Sequence, residues 1–128
     1  MLDKLENLHK LCFPNKPWRA ADFMGLKKSG CEIIAGENGF IVWRAAAGEA
    51  EIITIGVHPD ARRTGIAAAM LAIAESEIKK SGASKIFLEV AADNMPARRL
   101  YEKHGFRQIA ARQKYYDGID AIVMEKIL

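Results

Sequence analysis

The stretch Val57-His58-Pro59-Asp60-Ala61-Arg62-Arg63-Thr64-Gly65-Ile66-Ala67 decides the architecture. Residues 51–57, rich in Ile, read as a strand running into it. Residues 65–80, full of Ala, Met, Leu, Glu and Lys, read as the longest helix, since these side chains lose little freedom in a helix. Ser81-Gly82 closes that helix, with the glycine as a left-handed cap. Residues 85–90 then return as a strand. A strand, a helix and a second strand over 51–90 predict a right-handed parallel crossover.

Outward from this unit, Leu2, Leu5, Leu8, Leu11 and Cys12 recur at helical spacing, and Pro14 and Pro17 end that helix. Residues 19–28 suit a second short helix ending at Gly30. Residues 31–35 and 40–46 read as strands around Glu37-Asn38-Gly39, and Gly48 separates the second from 51–57, which predicts an antiparallel meander. On the other side, Asn94 and Pro96 start a helix that runs to His104 and stops at Gly105. Residues 106–112 and 119–127 are expected as two last strands, joined through Tyr115-Tyr116-Asp117-Gly118. The expectation is an α/β (α+β mixed) fold: an antiparallel first half, a parallel β-α-β crossover, and helices on both faces of the sheet.

At 128 residues, half of them hydrophobic and 27% charged, the chain suits one domain of 1–128 and is not disordered. Its longest apolar run, 66–74, is far short of the ~18 residues of a membrane span. The first residues carry no apolar signal region, so a cytoplasmic protein without a membrane partner is expected. Cys12 and Cys31 lack metal-ligand spacing, and the three histidines suggest no metal site either.

Three places could carry chemistry. In the loop 57–67, the first N–H groups of the following helix have no internal partner, and Arg62 and Arg63 add positive charge; together they suit an anion. Gly65 and the nearby alanines equally serve as plain helix–sheet packing. The loop has no G-x-x-x-x-G-K-[ST], which argues against a nucleotide triphosphatase. In 85–90, alternation sets Lys85, Phe87 and Glu89 on one face. If helices cover that face, desolvation raises the Glu89 pKa towards the range of a general base; a solvated strand-end glutamate is the plainer alternative. In 94–106, Tyr101 reads by spacing as a core aromatic and Asn94 as a helix cap.

Together these stretches resemble the GNAT superfamily of N-acetyltransferases. Val57-x-Pro59-x-x-Arg62-Arg63-x-Gly65-x-Ala67 is similar to its pyrophosphate motif, and Leu100-Tyr101-x-x-x-Gly105-Phe106, after Asn94, to its second cofactor motif. Within the superfamily, Phe13-Pro14-x-x-Pro17-Trp18, Leu88-Glu89-Val90, Leu100-Tyr101-Glu102, Arg112-x-x-Tyr115-Tyr116 and Asp120-Ala121-Ile122-Val123-Met124 resemble RimI-type ribosomal-protein-alanine N-acetyltransferases. Two departures stand out. Ala67 occupies a position where the family commonly has glycine. The strand that often precedes the first helix is either absent, leaving the first edge strand missing, or formed by extended first residues.

The resemblance implies transfer of acetyl from acetyl-CoA to a protein N-terminal amine, that of a ribosomal protein, with Glu89 as general base and Tyr101 as general acid. It implies that Ile55, Gly56 and Val57 hold the pantetheine and acetyl group. Arg62, Arg63, Thr64, Gly65, Ile66 and Ala67 would hold the pyrophosphate, and Asn94 would also contact the co-substrate. Phe13, Trp18, Tyr115 and Tyr116 would shape the acceptor groove. No metal and no sequence-specific nucleic acid are implied. The alternatives are a small-amine or internal-lysine acetyltransferase, or a non-catalytic CoA-binding interaction module. The net charge of +3 is concentrated: residues 97–116 hold six Lys/Arg against Glu102 alone. That basic segment begins in the second cofactor motif and suits an anionic ligand.

Overall fold

The computed structural model describes residues 2–116 and 118–128, with side chains at 114–116 left aside. The elements are α1 (Leu2–Cys12), α2 (Ala20–Lys28), β1 (Glu32–Ala35), β2 (Gly39–Ala46), β3 (Glu49–Val57), a 3-10 turn (Pro59–Ala61), α3 (Ile66–Lys80), β4 (Lys85–Ala91), α4 (Met95–Lys103), β5 (Arg107–Tyr116) and β6 (Ile119–Ile127). The six strands form one mixed sheet in the order β1-β2-β3-β4-β6-β5. β1 and β2 pair antiparallel, β3 and β4 parallel, and β4, β6 and β5 antiparallel. The expected element order and mixed α/β class are therefore the observed ones. Residues 2–12 are helical, so the first residues are not an extended strand. Among the described residues, no helix is long and apolar enough to cross a membrane.

The chain divides into two compact units, Met1–Arg44 with Thr54–Glu77, and Ala45–Ile53 with Ile78–Leu128. In the first, Leu5, Leu8, Phe23, Phe40, Met70 and Leu71 are buried. Gly39, expected in the β1–β2 turn, is instead the first residue of β2 and lacks a positive φ. Its need for glycine is space: a Cβ there would lie 2.7 Å from Met70 Cε and 3.0 Å from Ile66 Cγ2.

In the second unit, period-two alternation sorts the sheet into two faces. Ile52, Ile86, Leu88, Val90, Ile122 and Met124 are buried on one face. Glu51, Phe87 and Glu125 stand in one row on the other, by the pairings Glu51↔Phe87 and Phe87↔Glu125. β5 is an edge strand, and it reaches Tyr116 instead of ending near 112. Its residues 107–113 are all exposed, so no buried hydrophobic pattern marks where it stops. Tyr115 and Tyr116 thus belong to the strand and not to the connecting turn.

Candidate active site

The β3–β4 ladder comprises Glu49↔Lys85, Ala50↔Ile86 and Glu51↔Phe87, although both strands continue beyond it. Main-chain N–H and C=O groups left without a ladder partner are strong hydrogen-bonding groups available to a ligand. A cavity of ≈ 520 Å³ lies where the pairing ends. Glu51, Ile52 and Ile53 line it from β3, Phe87, Leu88 and Glu89 from β4, Val123 from β6 and Arg112 from β5. Its walls are polar and apolar in comparable measure, and Glu51, Glu89 and Arg112 are the charged groups that could fix a ligand's orientation.

Glu89 lines this cavity. The expectation that burial desolvates it is not met. Glu89 is exposed, because its face of the β4 strand is not the one packed into the core. Its Oε1 instead accepts a hydrogen bond from Arg112 Nη1 at 2.8 Å, an ion pair between partly exposed side chains. Arg112 was not singled out as a site residue from sequence. The signal lies in the register: Arg112 pairs with Ala121 and Glu89 with Val123, so both charges share a face, separated by one strand. Tyr101 lies in the same unit but does not line the cavity; it is buried, edge-on to Phe106 at 5.8 Å between centroids. Asn94 caps α4, its Oδ1 accepting the Ala97 N–H at 3.3 Å. The side chains of Tyr115 and Tyr116 lie outside the described residues.

The other predicted positions belong to the first unit. After β3, His58 Nδ1 accepts the Asp60 N–H, which orders the 3-10 turn. The loop 62–65 then takes two left-handed steps, at Arg63 (φ 64) and Gly65 (φ 84). Such a conformation is free for glycine and uncommon for arginine. α3 starts with the Ala69 N–H donating to Gly65 O, so the amides of Ile66, Ala67 and Ala68 precede the first turn's bonds. Ala67 lies within the helix without a positive φ, so it needs no glycine. Arg62, Arg63, Thr64 and Gly65 are exposed around this helix start. Free amides, two guanidiniums and the dipole end of a long helix fit a polyanion such as a pyrophosphate.

Val57 is less available than the sequence implied, since its carbonyl already accepts from Cys12 Sγ and Arg62 Nε, each at 3.2 Å. Burial pushes the Cys12 thiol pKa up, against the pull of Arg62 and the Val57 bond. Gly56 is buried, and a Cβ there would meet the Phe40 ring at 2.6 Å. Phe13 and Trp18 both pack on His9. The Trp18 ring stacks on it at 4.7 Å and 13°, and the Trp18 N–H donates to His9 Nδ1 at 2.9 Å. His9 is buried among these rings with Phe23 and Phe40, and desolvation lowers its pKa against the opposing charge of Asp22. Among the described residues no group of His, Cys, Asp and Glu is arranged to hold a metal ion.

The model of the acetyltransferase (GNAT) family matches residues 3–106. The [ribosomal protein bS18]-alanine N-acetyltransferase of Escherichia coli (strain K12) is 38% identical over 89 residues, covering 66% of this chain and 60% of that protein. The chain thus matches less than two thirds of that relative's length. The crystal structure of the ribosomal-protein-S18-alanine N-acetyltransferase from Escherichia coli superposes with a TM-score of 0.88 and 29% identity, over 98% of this chain and 86% of that one. A Bacillus anthracis str. Ames protein described as a streptothricin acetyltransferase, solved in complex with acetyl coenzyme A, gives 0.66 and 27%, over 71% of this chain and 56% of that one. The chain belongs to the acetyltransferase (GNAT) family.

Proposed function

We propose that this chain is a cytoplasmic N-acetyltransferase, acting as one domain, that moves the acetyl group of acetyl-CoA to the α-amine of a protein N-terminus, that of a ribosomal protein. The observation that carries the reading is the cavity at the end of the β3–β4 ladder, which presents the Glu89 carboxylate in a chain of an acetyltransferase family. Glu89 is the general base. An α-amine has a reference pKa of ~7.7–8.0, against ~10.4 for lysine, so a carboxylate reached directly or through one water suffices to take its proton. The amine nitrogen attacks the thioester carbonyl, the C–N bond forms, the C–S bond breaks, and the sulfur leaves as thiolate. Tyr101 is the general acid that returns a proton to that sulfur. Positioning and an N–H donor for the developing oxyanion supply the rest of the barrier lowering, and no metal enters the scheme.

In the first unit, the amides and side chains of residues 62–67 hold the pyrophosphate, and Ile55, Gly56 and Val57 bind the pantetheine arm as an added strand does, through main-chain groups. In the second unit, Asn94 contacts the co-substrate. Phe13, Trp18, Tyr115 and Tyr116 shape the acceptor groove. Similarity to the bS18-alanine acetyltransferase supports a ribosomal N-terminus as acceptor.

The test is release of CoA thiol with a mixed panel of alanine-initiated peptides, lysine peptides and small amines, read with the mass of each product. The expected result is N-terminal acetylation of the alanine-initiated peptides at the highest kcat/KM. Faster turnover of lysine or small amines would move the acceptor assignment, and binding of acetyl-CoA without turnover of any amine would leave only an interaction module.

A further inference from the structure

We infer that Arg112 is a positioning residue of the transfer site: it aims the Glu89 carboxylate at the cavity and so sets the rate at which the acceptor amine is deprotonated. The inference rests on the assignment of Glu89 as general base. Both side chains line the same cavity, and the contact of 2.8 Å engages one carboxylate oxygen, Oε1, leaving Oε2 to accept the proton. A glutamate on an open sheet face samples several rotamers of its three side-chain torsions. A planar guanidinium held at one oxygen selects among them.

The route of Arg112 to Glu89 is specific. Arg112 sits on β5 and Glu89 on β4, with β6 between them, so the arginine side chain crosses a whole strand. The residue directly beside Arg112 on β6 is Ala121, and that beside Glu89 is Val123, offset by two positions on the same face. Ala121 offers no side chain beyond Cβ to obstruct the crossing. Adjacent strands lie ~4.8 Å apart, so the two backbones are separated by roughly 10 Å laterally, a gap that a long side chain spans and a short one does not. An exposed ion pair of this kind adds little to stability. Its removal therefore tests function with the fold intact.

The experiment compares wild type, Arg112→Gln, Arg112→Lys, Glu89→Gln and the double variant Glu89→Gln/Arg112→Gln, using an alanine-initiated peptide, with kcat and both KM values and a thermal melt for each. Arg112→Gln is expected to lower kcat by about tenfold with the acetyl-CoA KM within about twofold of wild type and no loss of melting temperature beyond a few degrees. Arg112→Lys keeps the charge and should recover part of that loss. Because Arg112 acts through Glu89, the double variant should be no slower than Glu89→Gln alone. Wild-type kcat in Arg112→Gln with a slow Glu89→Gln would overturn the positioning role while leaving the base in place. Multiplied losses in the double variant would overturn it too, by showing that Arg112 acts independently. Wild-type kcat in Glu89→Gln would instead remove the general-base assignment, and the positioning role with it.

Discussion

Replacing Gly56 by alanine tests the packing behind the strand proposed to bind pantetheine. The added Cβ would lie 2.6 Å from Phe40 Cζ, 2.7 Å from Phe40 Cε1 and 3.1 Å from Cys12 Sγ. Carbon atoms rest at about 3.5–4.0 Å, so the ring must retreat by roughly 1 Å. It has nowhere to go: Phe40 is fully buried, with the His9 ring centroid 5.6 Å and the Phe23 centroid 6.1 Å from its own. Overpacking of a filled core costs ~1–3 kcal/mol, and a clash with a ring wedged on two sides belongs in the upper half of that range, about 2–3 kcal/mol. At roughly 3–5 °C per kcal/mol for a domain of this size, Gly56→Ala should melt about 6–15 °C below wild type, read by calorimetry or circular dichroism. Truncating the obstacle is the control. Phe40→Leu removes both clashing ring atoms, so the two substitutions together should destabilise less than the sum of each alone by at least about 1 kcal/mol. A Gly56→Ala protein melting within about 2 °C of wild type, or strict additivity with Phe40→Leu, would refute the steric argument.

Three other outcomes are expected. Glu89→Gln and Tyr101→Phe should each lower kcat by ~10²-fold or more with the acetyl-CoA KM little changed, measured by thiol release; wild-type rates would remove the assigned roles. Asn94→Ala removes the α4 cap and should cost about 1 kcal/mol in a melt, whereas Asn94→Asp, which keeps an acceptor, should cost less. His9 makes stability pH-dependent. Its folded pKa lies below the ordinary 6.5 because burial disfavours the charged ring, and protonation would also end its acceptance of the Trp18 N–H. Between the lowered folded value and 6.5 the unfolded chain binds more protons, so stability is full above about 6.5 and declines as the pH falls towards the folded value. Melts from pH 7.5 to 5 should show this decline, and His9→Gln, which still offers an acceptor but does not titrate, should flatten it; an unchanged slope in the variant would assign the decline to other groups.

What the sequence conveyed and what it withheld divide along local and non-local lines. The α1 boundaries follow from leucines at helical spacing, and the crossover from an Ile-rich strand, an Ala-rich helix and Gly82, all within reach of local propensity. Gly65 reads from the sequence as the first residue of the helix, whereas it stands before it in a left-handed conformation; nor does anything in the residue type announce the left-handed Arg63. Ala47, also left-handed, escaped notice for the same reason. The end of β5 was hidden by the polarity of an edge strand. Arg112 was hidden by register, since its meeting with Glu89 depends on which residue of β6 stands beside each.

The exposure of Glu89 is the place where structure corrects the sequence argument most usefully. Alternation fixed the face on which Glu89 lies but could not say what covers that face. Here the buried neighbours Leu88 and Val90 point the other way, and Glu89 opens on a cavity with a charged partner. On the proposed mechanism this suits the chemistry. The carboxylate must be reachable by an acceptor that arrives as a chain terminus, so a residue sealed under a helix could not serve. Nor does an α-amine demand the strong base that a buried carboxylate would become, its reference pKa being already close to neutrality. The demand left is directional, because proton transfer requires the carboxylate within hydrogen-bond reach of the amine or of one bridging water. An ion pair with Arg112 meets that demand where burial does not, which is why the base and its partner belong in one experiment.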